Sequence, residues 1–336
     1  MIKLKLVNSP HHSIQTLIQM RKIYGIGETV LDIIFKDGQP QAAKAGGSVL
    51  NSIVSMGRMD LPVSFISEYG KDDVGNLIDN FLKNNGVDTS SVHRFHDGST
   101  SLALAFLDEK NDAHYTFYKD FPAKRLNIEF PLIEKDDIVQ CGSFYAIWPE
   151  IRGKFKKFIR TAKESGALIL YDPNFRKTNV SDLDILKPLI IENMRMASLL
   201  RGSDEDFKNI FGANNIDEAW EVVKKYCKCL VYTANAEGVY VRTTSFSGKF
   251  PVQKITPVST IGAGDNFNAG MITSIYQNSI KNDQLEKLTE REWLKIISTA
   301  VDFATHVCLS YENYISPEFA KELQILTHPP APSLKQ

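Results

Sequence analysis

Residues 260 to 270 read Thr260-Ile261-Gly262-Ala263-Gly264-Asp265-Asn266-Phe267-Asn268-Ala269-Gly270. Three small residues separate a β-favouring run, Ile255 to Thr260, from apolar residues at helical spacing, Phe267, Met271 and Ile275. A Gly-Ala-Gly turn lets backbone come close to a ligand, because little side chain blocks the approach. A helix expected to begin at about Asp265 points its free N–H groups and the positive end of its dipole into that turn, a setting that binds anions, above all phosphate. Asp265 puts a carboxylate at the same place, where it can orient and deprotonate an attacking hydroxyl. Donors for a phosphoryl group beside an acceptor for a hydroxyl proton are the parts of a phosphoryl-transfer site. The same residues also read as an ordinary turn closed by an N-cap aspartate.

A second constellation lies upstream. Ala45-Gly46-Gly47-Ser48 precedes Val49, Leu50, Ile53, Val54 and Met56 at helical spacing, with Asn51 on the first turn. Asp32 and Asn51 suit a polyol, whose hydroxyls each need a donor and an acceptor. A capped helix with Asn51 turned onto its own backbone accounts for the same residues, so both readings stand at this point.

The elements that must position these residues follow one rhythm. Val63 to Glu68 reads as a strand and Asp73 to Asn84 as a helix stopped by Asn85-Gly86; Lys22 to Gly27, Leu168 to Tyr171, Leu230 to Thr233 and Val239 to Thr243 read as further strands. Ile151 to Ser165, Asp204 to Phe211, Ile216 to Tyr226 and Glu290 to Leu309 carry helical periods. Alternating strands and helices predict a mostly parallel sheet with helices on both faces. Asp172-Pro173-Asn174-Phe175-Arg176 then falls at the carboxyl edge of a strand, where open α/β sheets carry their sites. Ser101 to Leu107 and His114 to Lys119 flank turn chemistry at 108–112 and predict a hairpin; with Ile33 to Ala45 it makes a small antiparallel flap able to close over a substrate. The apolar face of such a flap invites a second chain, so a homodimer through it is expected.

Composition narrows the classes. A chain of 336 residues with 43% hydrophobic content buries a large core, and a net charge of −1 offers no basic field for nucleic acid or an anionic membrane. No apolar run approaches the roughly 20 residues a bilayer span needs. The four cysteines have no metal-ligand spacing, Cys227-Lys228-Cys229 being CxC, which fits reduced thiols in a cytoplasmic protein. Gly25-x-Gly27 lacks the third glycine of a dinucleotide fingerprint, position 30 being Val. Residues 1–20 are expected to be an extension to a single domain over 21–327, and 328–336 a loosely ordered tail.

Together these motifs resemble the PfkB, or ribokinase-like, family of carbohydrate kinases, from about Ile23 to about Ser316, with Gly262-Ala263-Gly264-Asp265 as the strongest match. Ala45-Gly46-Gly47 with Asn51 is the second, and Asp172-Pro173-Asn174 with Arg176 and Gly27-Glu28 with Asp32 look most like the fructokinase and 2-keto-3-deoxygluconate kinase branch. The resemblance implies a three-layer α/β/α domain with a β lid, and phosphoryl transfer from ATP to a sugar hydroxyl. Asp265 is then the base and the backbone from Gly262 to Asp265 the anion hole. Asp32, Gly46, Gly47 and Asn51 hold the sugar, while Lys119 and Arg176 reach substrate or phosphate. ATP lies over Thr233, Asn235 and Gly238 and the Thr305 region, with Mg²⁺ on its phosphates. A nucleoside kinase, or a sugar-binding homologue with weak catalysis, are the alternatives on the same fold.

Four positions depart from the family pattern. Ser259-Thr260 replaces Asp-Thr, which removes the carboxylate of a monovalent-cation site. Asn266 replaces a small residue. Ser203-x-x-Asp206 stands for the magnesium-organising N-x-x-E, leaving Asp206 to act on the metal through water. Thr233 to Gly238 carries Asn235 where the nucleotide loop has Gly, and Asn tolerates the positive φ such a turn uses.

Overall fold

The computed structural model describes residues 21–108, 113–175 and 182–327. The first half of the chain forms β1 (Ile23–Ile26), β2 (Val30–Lys36), β3 (Gln39–Gly46), α1 (Ser48–Arg58), β4 (Val63–Gly70), α2 (Asp73–Asn84), β5 (Val87–Asp88), β6 (Val92–Phe95), β7 (Ser99–Leu107) and β8 (Ala113–Asp120). Then follow β9 (Ile138–Gly142), α3 (Pro149–Ser165), β10 (Leu168–Asp172), α4 (Leu183–Met196), β11 (Leu199–Ser203), α5 (Asp204–Phe211) and α6 (Ile216–Val223). The chain continues through β12 (Cys229–Thr233), β13 (Val239–Thr243), β14 (Ser247–Phe250), α7 (Ala263–Gln277), α8 (Glu290–Cys308) and α9 (Pro317–Thr327).

The strands of the large sheet run β14-β13-β12-β11-β10-β9-β1-β4-β5, with β6 also beside β4. All neighbours from β12 to β5 are parallel; only β13 and β14, at one edge, pair antiparallel. Parallel strands are covered on both faces and so read as continuous apolar runs. In β10 the alternation sends Leu168 and Leu170 to the core shared with α1, α2, α7, α8 and α9, and Ile169 and Tyr171 to the core shared with α3 to α6. The outcome is the predicted three-layer α/β/α arrangement. Because all these parallel strands point the same way, their carboxyl ends collect Asp172, Ser203 and Thr233 along one edge.

The flap is a separate four-stranded sheet of order β3-β2-β7-β8. β2 and β7 are parallel, and β3 and β8 flank them antiparallel, so the predicted hairpin is one half of the lid. Its turn at 109–112 lies outside the described residues.

Two local expectations differ from what is observed. The run Ile255 to Thr260 is not a strand: Pro257 removes a ladder donor in its middle, and the Val258 and Ser259 N–H groups instead donate to Cys308 O at 2.8 and 3.3 Å. The following helix, α7, starts at Ala263 rather than at Asp265, with Gly262 as its N-cap at φ 77°. Among the described residues no helix is long and apolar enough to cross a membrane.

Candidate active site

Gly262 can take its left-handed turn because it has no Cβ; one built there would stand 2.9 Å from Asn313 O. That turn places Ala263, Gly264 and Asp265 in the first turn of α7, where N–H groups have no carbonyl four residues back. The Ala263 N–H already donates to Thr260 O at 3.3 Å, which leaves the helix dipole and the Gly264 and Asp265 N–H groups for an anion. Asp265 is buried at 9% exposure, and its Oδ2 accepts a hydrogen bond of 2.8 Å from Asn51 Nδ2. Asn51 thus reaches across to the carboxylate rather than back to its own helix. Its Oδ1 is buried without a protein partner and leaves one acceptor in reserve. Behind them, Gln140 Nε2 donates to Ser52 Oγ at 2.8 Å and Ser52 Oγ donates to the Asp265 carbonyl at 2.6 Å, which pins the helix start to α1 and β9.

The residues assigned to the sugar by resemblance lie close together. Gly47 caps α1 at φ 133°, and a Cβ there would lie 2.2 Å from Glu28 O, so the β1–β2 connection packs directly on that turn. A Cβ on Gly46 would stand 2.0 Å from Asp32 Oδ2, which puts the Asp32 carboxylate against the Gly46 backbone. Asp32, Gly46, Gly47, Asn51 and Asp265 therefore share one region where lid, α1 and α7 meet. Lys119, at the lid end of β8, donates to Glu28 Oε1 at 2.6 Å, and its ammonium lies 4.6 Å from the centre of the Trp148 ring. Arg176 lies outside the described residues.

Burial, and then the charge of Glu28, push the Asp32 carboxyl up to about 7. The folded chain accordingly holds this proton at pH values where an unfolded aspartate has lost it. From the ordinary carboxylate range up to about 7, the folded state holds this extra proton, so the contribution of Asp32 to stability falls as pH rises and levels off above that value. Asp32→Asn is expected to flatten this slope, as read from urea unfolding at pH 5, 6, 7 and 8.

The residues assigned to the nucleotide by resemblance sit on the other flank. Thr233 ends β12 and accepts from Arg201 Nη2 at 2.9 Å. Asn235 takes φ 44° and Gly238 φ 119°, so asparagine does fill a left-handed position in this loop. Thr305 is partly buried on α8, one turn before the Cys308 carbonyl that holds residues 258 and 259. Asp206 is engaged in a capping box of α5: Oδ2 accepts from the Ser203 N–H and hydroxyl, both at 2.7 Å, and Oδ1 from the Phe175 N–H at 2.6 Å. Burial, and then nearby Asp172, raise its pKa.

Sequence reasoning missed a buried ionic hub. Asp172 Oδ2 accepts from Arg201 Nη1 at 2.9 Å and from Asn268 Nδ2 at 2.7 Å. The Arg201 guanidinium lies under the Gly262-Ala263-Gly264 turn, 2.9 Å from where a Gly264 Cβ would be and 5.4 Å from the centre of the Phe267 ring. One guanidinium thereby joins the ends of β10, β11 and β12 to the first turn of α7. A signal was present: an arginine inside Leu199-Leu200-Arg201-Gly202, a strand buried on both faces, demands a buried anion.

A mostly parallel sheet, a helix start with exposed backbone N–H groups, a carboxylate on that helix and a small lid sheet beside them make up the arrangement of a phosphotransferase. The family model described as "pfkB family carbohydrate kinase" matches residues 20–310, and the chain belongs to that family. Probable fructokinase-6, chloroplastic, of Arabidopsis thaliana is 30% identical over 256 residues, covering 73% of this chain and 66% of that relative. Fructokinase-2 of Solanum lycopersicum is 26% identical over 281 residues, covering 80% and 86%. Among solved structures, aminoimidazole riboside kinase of Salmonella enterica, complexed with aminoimidazole riboside and an ATP analogue, superposes with a TM-score of 0.77 at 19% identity, covering 91% of this chain and all of that one (100%). A fructokinase double mutant of Vibrio cholerae O395, with fructose, ADP and potassium ion, gives 0.76 at 22% identity, covering 88% and 94%. The chain is a carbohydrate kinase of the ribokinase-like fold.

Proposed function

We propose that the chain moves the γ-phosphoryl group of ATP to a hydroxyl of fructose or a closely related sugar, with Asp265 as the base. The observation that carries this reading is the Asp265 carboxylate on the first turn of α7, hydrogen-bonded at 2.8 Å to Asn51 beside Asp32, Gly46 and Gly47. The sugar hydroxyl approaches Asp265, while the backbone N–H groups of the turn from Gly262 to Asp265 take the charge of the phosphoryl oxygens. Such a transition state needs positioning and charge neutralisation more than a strong base. Asp32 and the free Asn51 acceptor orient the remaining hydroxyls.

Within this reading a neutral sugar fits better than a sugar acid such as 2-keto-3-deoxygluconate. Lys119, the cation assigned to the substrate side, is already neutralised by Glu28 and offers a substrate carboxylate little net charge. ATP lies over Thr233, Asn235 and Gly238, with Thr305 further along the same side. Mg²⁺ supplies charge neutralisation on the ATP phosphates. No group of three or more His, Cys, Asp or Glu side chains able to hold a metal occurs among the described residues, which suits an ion carried in on ATP with most of its waters. Asp206, with both oxygens already accepting protein N–H or O–H groups, reaches such an ion only through water. Turnover of Mg-ATP across neutral ketoses, sugar acids and nucleosides tests the assignment; fructose is expected to lead, and preference for a sugar acid or a nucleoside would displace it.

The lid supports a homodimer. Phe106, Tyr115, Phe117 and Tyr118 on β7 and β8 are 42 to 57% exposed, and the strand register puts Phe106 and Tyr118 on one face of the lid and Tyr115 and Phe117 on the other, so aromatic side chains are exposed on both faces. A second copy of the same lid is the occupant we infer. The double change Phe117→Asp with Tyr118→Asp is expected to convert a dimer to a monomer in analytical ultracentrifugation; an unchanged sedimentation coefficient removes the lid from the interface. Free cysteines at 141, 227, 229 and 308 are consistent with a reducing, cytoplasmic setting.

A further inference from the structure

The Vibrio cholerae fructokinase was crystallised with a potassium ion, and the family pattern noted above has the carboxylate of a monovalent-cation site at position 259. The residues here do not fit one. A cation needs several oxygens with free lone pairs, preferably one of them charged. At the position of the expected carboxylate stands Ser259, whose hydroxyl accepts the Ile261 N–H at 3.2 Å. The Cys308 carbonyl already accepts two N–H groups, from Val258 at 2.8 Å and Ser259 at 3.3 Å. The Gly262 carbonyl accepts two more, the Asn266 backbone N–H at 2.9 Å and Asn266 Nδ2 at 2.8 Å.

Asn266 fills the role by other means. Its side chain is fully buried, and the amide nitrogen donates one hydrogen to Gly262 O and the other to Asn313 O, each at 2.8 Å. The amide cannot turn over, because Ser55 Oγ donates to Oδ1 at 2.5 Å while itself accepting the Ile315 N–H at 3.1 Å. Every hydrogen-bonding site on the amide nitrogen is used, and one neutral group ties together the turn, α7, α1 and the segment after α8. We propose that the Asn266 amide holds the phosphate-binding turn where a monovalent ion would otherwise do so, and that this kinase works without monovalent-cation activation. Asn266 is a positioning residue: it touches neither ATP nor sugar and acts through the Gly262 carbonyl.

The inference rests on the kinase reading, so its test carries a readout that does not need turnover. Wild type and Asn266→Asp are compared in potassium chloride and in tetramethylammonium chloride at equal ionic strength, by sugar-dependent ADP release and by thermal unfolding. Wild-type kcat and midpoint are expected to be the same in both salts. The isosteric N266D points a carboxylate oxygen at two carbonyl oxygens; in tetramethylammonium its kcat is expected to fall by about 100-fold, with potassium recovering about tenfold. The KM for sugar should stay near the wild-type value. Wild-type turnover that depends on potassium, a wild-type midpoint raised by potassium alone, or an N266D that is as active as wild type in tetramethylammonium would each overturn the proposal. If N266D folds in neither salt, the wild-type comparison decides. If wild type turns over no sugar in either salt, the kinase reading fails, and the unfolding midpoints still judge the amide tie.

Discussion

Asp265→Asn is expected to lower kcat by about 10³-fold, with ATP and sugar affinities nearly unchanged, because a positioned general base is worth roughly 10² to 10⁴ in rate. The substitution keeps the shape of the side chain and leaves an oxygen to accept from Asn51, whose Nδ2 is 2.8 Å from Oδ2. It removes only the ability to take the hydroxyl proton. The helix start, pinned by Ser52 Oγ to the Asp265 carbonyl at 2.6 Å, is a backbone feature and survives the change. Steady-state kinetics beside calorimetric titration with an unreactive ATP analogue separates the two effects. A variant that binds the analogue as wild type does but turns over at a comparable rate would remove Asp265 from the chemistry. One that loses the analogue as well would indicate a collapsed turn.

Arg201→Met is expected to cost about 3 to 5 kcal/mol of folding stability, the range for breaking a buried ion pair and leaving its partner uncompensated. Asp172, the partner at 2.9 Å, is 5% exposed and has Asp206 close enough to raise the Asp206 pKa. Without the guanidinium, two carboxylates share an interior with no cation between them. The double variant Asp172→Asn with Arg201→Met removes the stranded charge, so it should recover most of the lost stability despite carrying one more substitution. Urea unfolding of the wild type, both single variants and the double variant closes the cycle. Losses that simply add would mean that the pair is not coupled. The double variant also lacks the positive charge beneath Gly264, so its kcat should stay low after its stability returns.

Much of this arrangement is legible in the sequence, for identifiable reasons. Leu168 to Tyr171 is a short, wholly apolar run, as expected for a strand covered on both faces, and it does divide between the two cores. Gly47 and Gly262 mark left-handed turns at helix starts, and Asn235 fills another that tolerates asparagine. What stayed hidden depends on partners far apart in the chain. Arg201 and Asp172 are 29 residues apart, and Asn268 and Asp172 are 96 apart. Asn266 is more instructive. As a sequence feature it is a departure from a small residue, whereas in the fold its amide bridges Gly262 and Asn313, a segment 47 residues away. The run Ile255 to Thr260 misled for a local reason: its β-branched residues favour a strand, but Pro257 within it denies a ladder donor.

The most direct test of the central claim is ³¹P NMR of the protein incubated with Mg-ATP and fructose. Asp265 as base and the α7 turn as anion hole predict a sugar phosphomonoester appearing in step with ADP, with no accumulation of inorganic phosphate. ATP that binds and stays intact, or that yields ADP and inorganic phosphate without a phosphomonoester, would contradict phosphoryl transfer to this sugar.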